Sequence, residues 1–130
     1  MNKFFWIADD DPDDRMIIKE AFEENAYDKG LTFFEDGEKV LLKIKDDSNK
    51  DFPSLLILDL NMPRVNGLEL LSMLKHNEVT SKIPVVIFST SRSNTDRDKV
   101  LKLGADDFIT KPFSFDMMIK ITRDLIEKYG

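Results

Sequence analysis

Short uninterrupted apolar runs punctuate the chain at residues 4–8 (FFWIA), 55–58 (LLIL) and 85–88 (VVIF), each bounded by polar or turn-forming residues. Runs of this length predict strands buried on both faces, as in the middle of a parallel sheet. Two weaker runs predict two more strands: 31–34, entered from Lys29-Gly30, and 108–110, entered from Gly104-Ala105-Asp106. Between the runs, apolar positions recur at helical spacing in four groups: Ile18, Ala21 and Phe22; Val40, Leu41 and Ile44; Leu70, Leu71 and Leu74; Met118, Ile121 and Leu125. Each group forms one face of a helix. A fifth helical segment, 95–103, has apolar residues only near its end.

Local signals place the helix ends. Asp11 followed by Pro12 reads as an N-cap and first helical residue, and Asp13 and Asp14 suit the positive end of the helix dipole. Asp36 caps the second helix, which ends in the polar stretch 46–51, expected to be a loop, before Phe52-Pro53. The third helix follows Asn66-Gly67 and stops before Ile83-Pro84; the fourth stops at Gly104, and the fifth starts from a Ser114 cap. Five strands alternating with five helices predict an α/β domain with a parallel sheet, because parallel neighbours need crossover connections and these are right-handed.

Ligand sites of open α/β sheets gather at the carboxyl ends of the strands. Asp9 and Asp10 follow the first strand there, Asp59 the third, Ser89 the fourth and Lys111 the fifth. Taken singly, each has an ordinary reading: Asp11 and Asp13 are expected only to cap their helix, Ser89 to be a loop hydroxyl and Lys111 a solvated charge. Together, three converging carboxylates repel one another unless a cation compensates them. A hard divalent cation with oxygen ligands fits, Mg2+ best, because it takes few protein ligands and keeps waters for phosphate oxygens. A carboxylate at Asp59 is then placed to attack phosphorus, with Lys111 and the Ser89 hydroxyl to neutralise phosphoryl oxygens.

Composition narrows the setting. A chain of 130 residues, 42% apolar, suits one domain spanning 1–130 with a single buried core. The net charge of -6 opposes the basic surface that nucleic-acid binding needs. The absence of cysteine is compatible with a reducing cytosol, and the apolar N-terminal run is too short for a signal peptide or a membrane span. A cytoplasmic protein with no membrane or nucleic-acid partner is therefore expected. His76, among Lys75, Asn77 and Glu78, reads as a solvated side chain, and the six methionines as core and filler.

The segments IADDDP, LLILDLNMPRVNG, IPVVIFSTS and GADDFITKPF, in this order and spacing, resemble the receiver domain of CheY-like response regulators across essentially the whole chain. The resemblance implies a flavodoxin-like, doubly wound (βα)5 fold with a five-stranded parallel sheet in the order 2-1-3-4-5. It implies that Asp59 is the phosphoacceptor of a two-component phosphorelay. Asp10, Asp59 and the Asn61 backbone carbonyl would hold Mg2+, with Asp9 reaching it through water. Ser89 would be the switch hydroxyl, Lys111 the phosphate-binding lysine and Phe108 the aromatic that turns inward. Asn61 and Ser91 would tune dephosphorylation, and the Lys111-Pro112 bond would be cis. The implied donor is a histidine kinase or histidine phosphotransfer protein. The output would pass to a downstream protein through the face of the fourth helix, fifth strand and fifth helix, with homodimerisation on phosphorylation as a further option. A stand-alone regulator with no small-molecule turnover is the expected form.

Two other classes compete. A haloacid-dehalogenase-like phosphatase also uses an aspartyl phosphate, and Asp9 and Asp11 form a D-x-D pair, but Pro12 stands where that family wants Thr or Val and no cap segment encloses a substrate. A receiver-like module acting without phosphorylation is disfavoured because every core position of the motif set is present.

Overall fold

The computed structural model describes residues 3–27, 29–46 and 51–130. Its elements run β1 (Phe5–Ala8), α1 (Pro12–Glu24), β2 (Leu31–Phe34), α2 (Gly37–Asp46), β3 (Leu55–Leu58), α3 (Gly67–Lys75), a 3-10 turn (Thr80–Lys82), β4 (Val85–Ser89), α4 (Asn94–Lys102), β5 (Asp107–Thr110) and α5 (Phe115–Tyr129). The strands form one sheet in the order β2-β1-β3-β4-β5. All four strand pairs are parallel, with Ala8 beside both Phe34 and Leu58, and Leu58 beside Ile87. The fold is the flavodoxin-like, doubly wound arrangement that the sequence resemblance implies.

Side chains alternate across a strand, so each central strand feeds two cores. Trp6 and Ala8 pack with Leu56, Leu58, Val85, Ile87 and Phe108 on the face covered by α2, α3 and α4. Phe5 and Ile7 pack with Leu55, Ile57, Val86 and Phe88 on the face covered by α1 and α5. β1, β3 and β4 are buried at every position, as unbroken apolar runs require, whereas the edge strand β2 buries only Phe34.

Helix starts follow the expected chemistry. The Asp11 side chain accepts from the Asp13 N–H, Asp36 Oδ1 accepts from the Lys39 N–H at 2.9 Å, Asn66 closes a capping box with Glu69, and Ser114 accepts from the Met117 N–H. Several boundaries differ from expectation: β1 starts at Phe5, β5 starts at Asp107 and α4 ends at Lys102, each one residue away from its expected position. α3 ends at Lys75, well before Ile83-Pro84, because the Asn77 side chain accepts from the N–H groups of Val79 and Thr80, and the Thr80 hydroxyl donates to the Leu74 carbonyl. These bonds favour a turn over further helix. α4 begins one residue early, capped by Ser93. β4 extends one residue further, to Ser89.

The expected loop at 46–51 lies largely outside the described residues. The expected cis bond at Lys111-Pro112 is corrected: every described peptide bond is trans. An X-Pro bond prefers trans by about 0.5–1 kcal/mol, and here the chain turns from β5 into α5 with that isomer.

Gly67 sets how closely α3 approaches the sheet. A Cβ there would lie 2.1 Å from the Asp59 carbonyl oxygen and 2.7 Å from Leu60 Cα, backbone atoms that cannot give way. Gly67→Ala is therefore expected to lower unfolding stability by about 2–4 kcal/mol, measured by urea denaturation, as an overpacked core site does.

Candidate functional site

Backbone hydrogen bonding aligns the site laterally. Beyond the strand ends, the Asp9 N–H donates to the Phe34 carbonyl at 3.0 Å, the Asp59 N–H to the Ala8 carbonyl at 2.9 Å and the Lys111 N–H to the Ser89 carbonyl at 2.7 Å. The ladder thus carries Asp9, Asp59, Ser89 and Lys111 to one edge of the sheet. Asp9, Asp59 and Ser89 are buried, and Asp10, one residue further along, is exposed.

Asp9, Asp10 and Asp59 each offer one carboxylate oxygen, all within 4.8 Å of one another. Lys111 Nζ donates to Asp9 Oδ2 at 2.9 Å and to Asp14 Oδ2 at 2.8 Å, and stands 3.6 Å from Asp59 Oδ2. Asp59 Oδ1 accepts from the Asn61 N–H at 3.4 Å, and Asp9 Oδ1 from the Asp11 N–H at 3.0 Å. The Ser89 hydroxyl oxygen accepts from the Ser91 N–H at 3.1 Å. It opens on a cleft of about 200 Å³ between the starts of α3 and α4, lined by Asn61, Asn66, Ser91, Asp96 and Lys99.

Burial dominates the electrostatics. It pushes the Asp59 carboxyl up to about 6, with the Asp9 charge adding to the effect and Lys111 opposing it. Burial also raises Asp9, against the Asp11 N–H and the Lys111 ammonium, which favour its charged form. For Lys111, burial alone pulls downward, but the hydrogen bonds to Asp14 and Asp9 and the charges of Asp9 and Asp59 together hold it above the usual lysine range. One ammonium thus serves a crowd of carboxylates that it does not fully compensate. Three carboxylate oxygens in reach of one centre, two from buried residues, with no nitrogen or sulfur donor among them, fit a small hard divalent cation.

A family model of the response regulator receiver domain matches residues 5–123. The chain belongs to that family. Receiver domains are the phosphoaccepting signalling modules of two-component systems, acting with histidine kinases and downstream effectors. This receiver domain is 36% identical over 122 residues to response regulator RR06 of Streptococcus pneumoniae, covering 90% of this chain and 52% of that protein. It spans about half the length of several of the curated relatives it matches. The phosphorylated cyanobacterial phytochrome response regulator RcpA superposes with a TM-score of 0.89 at 26% identity, over 99% of this chain and 94% of that one. The Mn2+-bound form of response regulator Rcp1 gives 0.84 at 25% identity, over 95% and 91%.

The structure brings Asp9, Asp10, Asp59 and Lys111 together, sets the Asn61 N–H on Asp59, and ends β4 at Ser89 on the same edge of the sheet, with the Ser89 hydroxyl oxygen accepting from the Ser91 N–H. Asp11 caps its helix, and Asp13 donates its N–H to that cap. His76, the residue that follows α3, is exposed. Phe108 is 5% exposed, packed inward among Ile87, Val100 and Ala105 in the α3–α4 core. Four participants were not singled out as site residues. Asp14, read only as a dipole partner, holds Lys111; Arg15 Nη1 donates to the Asp9 carbonyl at 2.6 Å; Asp96 accepts from the Ser91 hydroxyl at 2.7 Å; the Thr110 hydroxyl donates to the Ser91 carbonyl at 2.9 Å. The last two depend on how the β4–α4 loop turns back on β5, which residue spacing does not encode. Among the described residues no helix is long and apolar enough to cross a membrane.

A carboxyl raised in the folded state contributes stability that is present below its unfolded value, about 4, and is lost as pH rises through about 6. Without metal, Asp59 is therefore a liability at neutral pH. Asp59→Asn is expected to stabilise the metal-free protein at pH 8 by up to about 3 kcal/mol, a gain that shrinks toward zero near pH 4. Thermal unfolding in chelator at the two pH values checks it.

Proposed function

We propose that this receiver domain takes a phosphoryl group on Asp59 from a histidine kinase or histidine phosphotransfer protein and changes its protein contacts in response. The observation that carries the reading is the setting of Asp59. Its carboxylate is buried, contributes one oxygen to the Asp9–Asp10–Asp59 cluster and stands beside the Lys111 ammonium. In the transfer, an Asp59 oxygen forms a bond to phosphorus as the bond from phosphorus to the donor's imidazole nitrogen breaks, and the imidazole leaves and takes up a proton. Lys111 holds one developing phosphoryl oxygen and the Ser89 hydroxyl another, each by a charge-assisted hydrogen bond.

Asp10, Asp59 and the Asn61 carbonyl would hold Mg2+, with Asp9 reaching it through water, and the ion would supply the positive charge that offsets the repulsion among the carboxylates. The carboxylate oxygens within 4.8 Å of one another support this ligand set. Of the similar structures, Rcp1 is a Mn2+-bound form and RcpA a phosphorylated one, which supports a divalent cation and a phosphoryl group as the site's occupants. Asn61 and Ser91, beside the cleft at Ser89, orient the water that later attacks phosphorus and releases phosphate.

Movement of Ser89 toward the phosphoryl group passes to the β4–α4 loop through Ser91, and Phe108, packed beneath α4, keeps its inward position in the switched form. The partner face is α4, β5 and α5. α4 buries only Val100, which supports its shifting at small cost. The receiver unit is assigned to the whole chain, 1–130, in a cytoplasmic protein with no small-molecule turnover, no nucleic-acid or membrane contact of its own, and homodimerisation on phosphorylation as a further output.

Incubation with acetyl phosphate followed by intact-mass analysis tests the reading. The wild type is expected to gain one phosphoryl group only when Mg2+ is present, and Asp59→Asn to gain none. An adduct that persists in Asp59→Asn, or sustained release of phosphate from small phosphoesters, contradicts it.

A further inference from the structure

Asp14 sits three residues after the Asp11 N-cap, where an acidic side chain commonly reaches back to the N–H of the cap residue. Here that N–H is already taken: it donates to Asp9 Oδ1. The Asp14 carboxylate turns instead toward the β5–α5 loop and accepts from Lys111 Nζ at 2.8 Å. It lies outside the Asp9–Asp10–Asp59 cluster.

Lysine's side chain is long and carries about 2 kcal/mol of rotamer entropy, so one contact does not fix its ammonium. Lys111 is only 11% exposed and is gripped from two sides, by Asp9 and by Asp14. An ammonium has three N–H donors. Two are engaged by those carboxylates, and the next acceptor, Asp59 Oδ2, stands at 3.6 Å, beyond a hydrogen bond. The third donor is thus left unused beside the residue that receives phosphorus. Asp9 cannot guarantee this position alone, because its two oxygens also serve the Asp11 N–H and the carboxylate cluster.

We infer that Asp14 is a positioning residue for phosphoryl transfer: it holds the Lys111 ammonium with one N–H directed to the phosphoryl group on Asp59. The inference rests on the reading of Asp59 as phosphoacceptor. Asp14 touches neither donor nor phosphorus and acts only through Lys111. Its position on α1 ties the first turn of that helix to the loop after β5, two segments 97 residues apart in the chain.

The rate of phosphorylation by acetyl phosphate, followed by intact mass, provides the test on wild type, Asp14→Ala, Asp14→Glu and the same substitutions in a Lys111→Gln background. Asp14→Ala is expected to slow the reaction about tenfold, the scale of a lost orienting contact, and Asp14→Glu, which restores a carboxylate within reach, to recover most of the rate. With Lys111→Gln already present, Asp14→Ala is expected to have no further effect, as for two residues acting as one unit. A purely structural role at the start of α1 would slow both backgrounds alike and would overturn the inference, as would an unchanged or faster Asp14→Ala. The Lys111 side-chain 15N signal gives a readout independent of the reaction: it is expected to be sharp in the wild type and lost in Asp14→Ala, and its persistence in Asp14→Ala counts against the inference. A wild type that takes up no phosphoryl group overturns the Asp59 reading itself; a phosphorylated wild type beside an equally fast Asp14→Ala overturns only the role of Asp14.

Discussion

Asp9 and Asp59 are almost wholly removed from water, yet with Asp10 their carboxylates lie close enough to share one small cation. Like charges this near, in a site where water screens them poorly, repel by several kcal/mol, and burial penalises each of them further. The sheet allows no relief, because the bonds from Asp9 to Phe34 and from Asp59 to Ala8 extend the parallel ladder and fix both backbones. The two apolar cores that bury β1 and β3 on both faces therefore hold the acids together. Much of the edge's local architecture answers that constraint: the Lys111 ammonium in the midst of the acids, the Asp11 N–H on Asp9, and the Asn61 N–H on Asp59.

A site under this electrostatic load is suited to signalling. A group that arrives with its own negative charge changes the balance at once, and the elements able to respond are those tied to it by few contacts. Ser89 ends a fully buried strand, but the loop after it is held by side chains: the Ser91 hydroxyl on Asp96, the Ser93 N–H on Ser91 and the Thr110 hydroxyl on the Ser91 carbonyl. These bonds link the hydroxyl end of β4 to both α4 and β5. α4 lies at the end of that chain with one buried residue, so a shift at Ser89 has a short route to the surface.

Most of the fold was legible because short unbroken apolar runs alternating with helical patterns suit a doubly covered parallel sheet, and Asp11, Asn66 and Ser114 mark their helix starts by the hydrogen bonds they make. The site was legible for a related reason. Asp9, Asp59 and Ser89 each stand one step beyond an apolar run, and Lys111 one step beyond the weaker run 108–110, and parallel pairing brings such positions to one edge. What sequence did not disclose lies in side-chain choices made by tertiary neighbours. Asp14 looks like any acid in a first turn, and only the capture of the Asp11 N–H by Asp9 sends it to Lys111. The early end of α3 rests on the Asn77 and Thr80 side chains, which the period of leucines does not register. The Lys111-Pro112 isomer depends on the turn from β5 to α5, and no local pattern fixes it.

The claim that an incompletely compensated acid cluster governs this domain is tested most directly by the metal dependence of its stability. Thermal unfolding at pH 7.5 should show the melting temperature rising with millimolar Mg2+, a rise that is largely lost in Asp10→Asn and Asp59→Asn and intact in Asp13→Asn, whose side chain lies outside the cluster. A melting temperature indifferent to Mg2+, or an equal rise in all four proteins, would show that these carboxylates are satisfied by the fold alone and would contradict the account.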